Sequence, residues 1–168
     1  YLQMGEQIGE ALREQIRGFD AIALDRVRKI TDVSQERALE VARHCIDEVS
    51  HYAPHLLEEL TGMANASGVD IQRLMLLQIR NQLQAGRADA NGGCTSFALA
   101  ESAGGSIVGQ NWDNDPALDP FSVVLTRRPQ DAPAFLSITQ AGLIAYLGVN
   151  DAGIGVCSNS LPAPARLH

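Results

Sequence analysis

Histidine is almost missing from the second half of this 168-residue chain: after His55 the next is His168, the last residue. The sequence therefore advertises no Cys–His pair, although folding can still bring one together. Cysteine is scarce too. Cys45, Cys94 and Cys157 form an odd, small set, which speaks against a disulfide framework and leaves at most one bridge open. Basic clusters are absent and the net charge is −7, which argues against a nucleic-acid or anionic-membrane partner. No apolar run approaches the roughly 20 residues that span a bilayer. Aromatics are only 5% of the chain, so they mark no clear acyl or amine specificity. The chain opens Tyr1-Leu2-Gln3 with neither an initiator methionine nor a signal-like segment. Its compartment is not written there, and the lack of a visible signal peptide leans toward the cytoplasm.

What is present divides at Gly93–Cys94. Positions 1–93 carry 24 charged side chains, positions 94–168 only nine, and six of the seven prolines fall in the second part. The first part reads as four helices. Met4, Ile8, Leu12, Ile16 and Phe19 recur every three to four residues as one helix. A second begins near Ser34 with Ala38, Val41, Cys45 and Val49 on one face, and Pro54 interrupts it. A third runs from about His55 to Ala64 and ends near Gly68. A fourth, "IQRLMLLQIRNQL", is capped by Asp70. Beyond Gly93 the period changes. "CTSFALA", "SIVGQNW", "FSVVLTR", "AFLSITQ", "LIAYLGV" and "GIGVCSN" are short β-prone segments, with turn residues at 102–105, 113–120, 129–133, 142 and 150–153 between them. Short connections favour antiparallel pairing. The fold class expected is α+β, helices first and a mainly antiparallel sheet second. Helices on one side alone would leave a sheet face bare, so more chain is expected to follow.

Three clusters can carry chemistry. Cys94 follows two glycines in "NGGCTS". A thiol nucleophile needs a base, and cutting the Gly93–Cys94 bond would create one, because an α-amine titrates near pH 7.7–8.0. Glycine suits that cut, having no Cβ to shield its carbonyl. Thr95 and Ser96 stand ready to hydrogen-bond nearby. A lone cysteine opening a strand is more often a small buried hydrophobe. The second cluster, "GQNWDND", sets Gln110, Asn111, Trp112 and Asp113 at a strand end. Asp113 can hold an ammonium and Asn111 can orient a polar substrate group, or the Asn and Asp residues before Pro116 merely cap a turn. In the third, "GVNDAGIGVCSNS", a strand ends at Asn159, whose amide can meet an oxyanion; the alternative is a plain hairpin. His44, Glu48, His51 and His55 share helical spacing, but Pro54 interrupts the stretch and a metal site is not expected.

Taken together, "GGCTSFALA", "GGSIVGQNWDND" and "FLSITQAGLIAYLGVNDAGIGVCSNSL" resemble the region after the cleavage point of the acyl-coenzyme A:6-aminopenicillanic acid acyltransferases. These form the C45 peptidase family of the N-terminal nucleophile (Ntn) hydrolases. The opening "YLQMGEQIGEALREQI" is similar to that family's first helix. The resemblance implies an αββα sandwich, here partial because family members run to about twice this length. It implies a zymogen that cuts itself autocatalytically between Gly93 and Cys94, without a cofactor. Residues 1–93 would then be a helical pro-segment and 94–168 the start of the nucleophile-bearing chain, associated with a missing C-terminal half or with its own cleaved piece. Cys94, Asp113 and Asn159 are the implied catalytic set; Gln110, Asn111, Trp112 and Thr95 are expected to contact substrate. Gln110 stands where bile-salt-hydrolase relatives have arginine and penicillin acyltransferase-like sequences have glutamine. The implied activity is that of an amidase or acyltransferase working on a small-molecule amide or acyl-CoA through a Cys94 thioester. The alternatives are a non-catalytic homologue or inert precursor fragment acting as a binding module, and an ordinary Cys–His hydrolase using His44, His51 or His55.

Overall fold

The computed structural model describes residues 1–30, 33–83 and 93–159. Among these residues five helices come first: α1 Leu2–Ala11, α2 Arg13–Ile30, α3 Gln35–Tyr52, α4 Pro54–Ser67 and α5 Ile71–Leu83. Six strands follow: β1 Cys94–Leu99, β2 Ile107–Trp112, β3 Ser122–Arg127, β4 Phe135–Gln140, β5 Leu147–Asn150 and β6 Gly155–Val156, with a 3-10 turn over Pro116–Phe121. All pairings are antiparallel, β1 with β2 in one sheet and β3-β4-β5-β6 in another. The α+β order expected from the sequence is the order found.

Helix boundaries are set by local chemistry. Ser34 Oγ accepts from the Arg37 N–H at 3.1 Å to start α3, and Asp70 Oδ1 accepts from the Gln72 N–H at 2.8 Å to start α5, each satisfying an orphan donor. Pro54 stands in the first turn of α4, where its missing N–H costs nothing. Gly68, at φ 75°, ends α4 in the left-handed region that glycine enters without strain.

The first expected helix is in fact two. It breaks at Leu12, whose φ of −113° and ψ of 20° leave the helical region. The cause is tertiary. Gly5 and Gly9 of α1 press against α4 so closely that a Cβ on Gly5 would stand 2.0 Å from the Glu59 carbonyl oxygen, and one on Gly62 would stand 2.2 Å from that of Leu2. The chain then turns so that α2, longer than its apolar pattern suggested, can lay Ile16, Phe19, Ala23 and Leu24 into the common core with Leu60, Met63, Leu74 and Leu77. Gly62→Ala is therefore expected to destabilise the protein by about 1–3 kcal/mol, because backbone atoms cannot yield to an added methyl. A urea unfolding midpoint no lower than wild type would refute this.

The four-stranded sheet packs its Val123, Leu125, Arg127, Ser137 and Thr139 side against the helices. The alternate residues point away: Val124 is 62% and Val149 52% exposed, with Leu136 and Ile138 beside them. Among the described residues nothing covers that apolar face. The segment "LIAYLGV" also departs from expectation. Only its end is strand, from Leu147. Gly142, at φ 92°, turns the chain, and helix side chains then satisfy the backbone in place of a ladder. Gln78 Nε2 donates to the Gly142 carbonyl at 2.8 Å, Gln78 Oε1 accepts from the Ile144 N–H at 3.0 Å, and Arg127 Nη2 donates to the Ile144 carbonyl at 2.7 Å. Leu143 is buried in the core as a result.

Candidate active site

Cys94 begins β1, and the β1–β2 register sets it opposite Trp112. Side chains alternate between strand faces. Cys94, Ser96, Gln110 and Trp112 therefore share one face, and Thr95, Asn111 and Phe97 share the other. Of the expected substrate contacts, Gln110 and Trp112 stand on the nucleophile's face, whereas Thr95 and Asn111 are exposed on the opposite one.

Asp113 follows β2 directly and reaches back across the hairpin. Its Oδ2 accepts a 3.0 Å hydrogen bond from the Gly93 N–H. Capping of the following turn falls to a different residue: Asp115 Oδ1 accepts from the Ala117 N–H at 2.9 Å, and its Oδ2 pairs with Arg26 at 2.6 Å. Asn114 is engaged with Asp119 and Gln140. The turn-capping reading of "DND" thus holds for Asp115, and Asp113 is left to the Gly93–Cys94 junction.

Asn159 comes from the far end of the described chain. Its Nδ2 donates to the Cys94 carbonyl at 3.1 Å. That carbonyl belongs to the cysteine itself and is not the one at the Gly93–Cys94 bond. The preceding Asn150–Gly153 turn is a hairpin, with Asn150 Oδ1 accepting from the Ile154 N–H at 2.8 Å. Both readings of "GVNDAGIGVCSNS" apply, to different residues. The dipeptide Gly93–Cys94 is thus held from two sides, by a carboxylate on its first N–H and by an amide on its last C=O.

Trp112, the strand partner of Cys94, is backed by Tyr146 and through it by Arg80 of α5. Trp112 meets the Tyr146 ring edge-on at 5.2 Å. Arg80 of α5, 8% exposed, donates to the Tyr146 hydroxyl, to Gln140 Oε1 at 2.6 Å and to the Leu77 carbonyl at 2.9 Å, while its guanidinium lies 5.0 Å from the Phe19 ring centre. Neither Tyr146 nor Arg80 was singled out in the sequence. The available signal was an arginine among Leu76, Leu77 and Ile79, since a cation on an apolar helix face demands a buried partner.

The three cysteines are free thiols. His51 Nδ1 bonds the Asp47 carbonyl and the His55 ring lies tilted against Tyr1 at 5.0 Å. Among the described residues no histidine hydrogen-bonds Cys94, and no cluster of three or more potential metal ligands forms. His168 lies outside the described residues. Among them no helix is long and apolar enough to cross a membrane.

This arrangement defines an α+β protein with a strand-leading cysteine at an anchored glycine–cysteine junction. Its sequence is similar to an acyltransferase: the 40 kDa form of acyl-coenzyme A:6-aminopenicillanic-acid-acyltransferase of Emericella nidulans is 26% identical over 159 residues, or 95% of this chain. Those residues are 44% of the relative, so the chain spans less than half its length. No family model matches the chain. The relationship is a distant one and singles out no particular member.

Proposed function

We propose that the protein is a self-processing N-terminal cysteine hydrolase or acyltransferase that cuts its own Gly93–Cys94 bond and then acts on linear amide or acyl-CoA substrates. The observation that carries this reading is the two-sided hold on the junction, Asp113 on the Gly93 N–H and Asn159 on the Cys94 carbonyl. Two further points support it. Among the described residues, a Cβ on Gly93 would meet nothing within 4 Å. Packing against the described residues does not call for glycine here, and its missing Cβ leaves the carbonyl unhindered. The similarity to an acyltransferase runs through the junction.

In the proposed step the Cys94 Sγ attacks the Gly93 carbonyl carbon and the C–N bond breaks. The acyl group moves to sulfur and the nitrogen leaves as the Cys94 α-amine. Water then hydrolyses the thioester, giving a Gly93 carboxylate and the free thiol. The cut leaves the Gly93 N–H intact, and Asp113, bonded to it one residue from the new amine, can turn to the Cys94 ammonium as the Gly93 end moves away. In turnover the α-amine takes the thiol proton as sulfur attacks the substrate carbonyl, and the leaving amine or thiol departs with a proton. Water or an acceptor amine then releases the acyl group. Residues 1–93 serve as the pro-segment and 94–168 begin the nucleophile-bearing chain. The bare apolar sheet face fits the partial αββα sandwich, its second sheet supplied by further chain.

Intact mass of the full gene product tests this. Two chains meeting at Gly93 and Cys94, the second modified by a thiol-reactive acyl probe, are expected. A single chain that stays uncut and inert to the probe would overturn the reading in favour of a non-catalytic binding module.

A further inference from the structure

Gln110 shares the Cys94 face, but its amide is already committed. Nε2 donates to the Ser158 carbonyl at 2.7 Å and Oε1 accepts from the Ser158 N–H at 3.0 Å. One side chain thereby satisfies both main-chain groups of a residue 48 positions away, as a neighbouring strand would. The need is local. β6 is only two residues long, so no ladder holds 157–159. Among the described residues the only other bond from this stretch to β2 is a weak one, Cys157 Sγ to the Gly109 carbonyl at 3.7 Å. Val108 lies against Gly155 on the same side of β2. Immediately after the clamped residue comes Asn159, whose Nδ2 reaches the Cys94 carbonyl.

We infer that Gln110 is a positioning residue: its amide fixes the main chain of residue 158 so that Asn159 can hold Cys94 in register for self-cutting. Its effect passes through Asn159, and it has no contact with substrate to make. The inference rests on the self-processing reading above. It also makes demands that a substrate contact would not, because self-cutting uses no external substrate.

The experiment follows self-cutting of the full gene product by intact mass during cell-free synthesis, for Gln110→Ala, Gln110→Met, Gln110→Glu, Asn159→Ala and the Gln110→Ala/Asn159→Ala pair. Methionine keeps the volume and loses the amide. Glutamate keeps an acceptor for the Ser158 N–H but turns a second oxygen toward the Ser158 carbonyl. All single variants are expected to cut more slowly, on the order of tenfold, as for loss of an anchoring hydrogen bond. The pair should be no slower than Asn159→Ala alone, since both act through one contact. Gln110→Ala cutting at the wild-type rate overturns the inference, as does a pair whose effects multiply, which is the mark of two residues acting independently. A wild-type chain that never cuts overturns the self-processing reading together with this one, so the two failures are told apart by the wild type alone.

Discussion

Cys94→Ala will leave the full gene product as one uncut chain that no acyl probe labels at position 94, while its unfolding midpoint barely moves. The loss is complete because the step requires a nucleophile at this residue, and the neighbouring hydroxyls of Thr95 and Ser96 lie further along the chain from the Gly93 carbonyl. The stability change is small because only a sulfur is removed from a half-buried side chain at the start of a two-stranded hairpin, a change worth less than about 1 kcal/mol at such sites. The anchors on either side involve main-chain atoms of residues 93 and 94 and are untouched by the substitution. Cys94→Ser should cut, but slowly, since a hydroxyl is the weaker nucleophile. Intact mass and a denaturant titration check both parts. Two chains from the alanine variant would assign the cut to another protease.

The second large effect lies far from the thiol. Arg127 of β3 and Glu59 of α4 are 1% and 2% exposed and pair at 2.8 Å. Arg127 Nη1 also donates to Ser137 Oγ at 2.8 Å, so with the Ile144 carbonyl every guanidinium nitrogen is used. Arg127→Met strands the Glu59 carboxylate in the interior, and an unpaired buried charge costs about 3–5 kcal/mol. Glu59→Leu strands the cation with two neutral acceptors and is expected to cost less. The double variant should recover much of the loss, because the desolvation cost disappears with both charges. Urea unfolding of these variants in the Cys94→Ala background, where the chain stays whole, measures this. Equal midpoints for Arg127→Met and its parent would refute it. The pair has a functional side. It joins the helical part to the sheet across the proposed cut, as do Arg80 with Gln140 and Gln78 with Gly142. If the chain is cut as proposed, these bonds tie the two pieces, and Arg127→Met is expected to make them separate on size exclusion.

Much of the fold was legible because its signals are local. Ser34, Pro54, Gly68 and Asp70 each bound a helix through hydrogen bonds or dihedral limits within a few residues, and the change from a helical to an alternating period marks the α-to-β transition. The spacing of "GGCTS", "GQNWDND" and "SNS" singled out the residues that meet at the junction. Other features depended on partners remote in sequence. The break at Leu12 comes from glycine contacts between α1 and α4, more than fifty residues apart. The loss of strand at 143–146 comes from Gln78 and Arg127, which satisfy that backbone from outside any ladder. That Asp115 caps the turn and leaves Asp113 to Gly93 needed the closed hairpin, since local chemistry left both readings of "DND" open and only the family resemblance pointed to Asp113.

The sequence by itself determined the order of elements, the antiparallel pattern and the identity of the glycine–cysteine junction, because helix caps, side-chain periodicity and the absence of a Cβ act within a few residues. Tertiary structure alone decided that Asp113 and Asn159 grip that junction from its two ends, and that Thr95 and Asn111 face away from it. It also decided that Gln110 spends its amide on Ser158 and that Arg80 supports Trp112 through Tyr146. The physical reason is common to all of these. A hydrogen bond between residues tens of positions apart exists only once packing has brought its atoms within about 3 Å, and no local propensity encodes that distance.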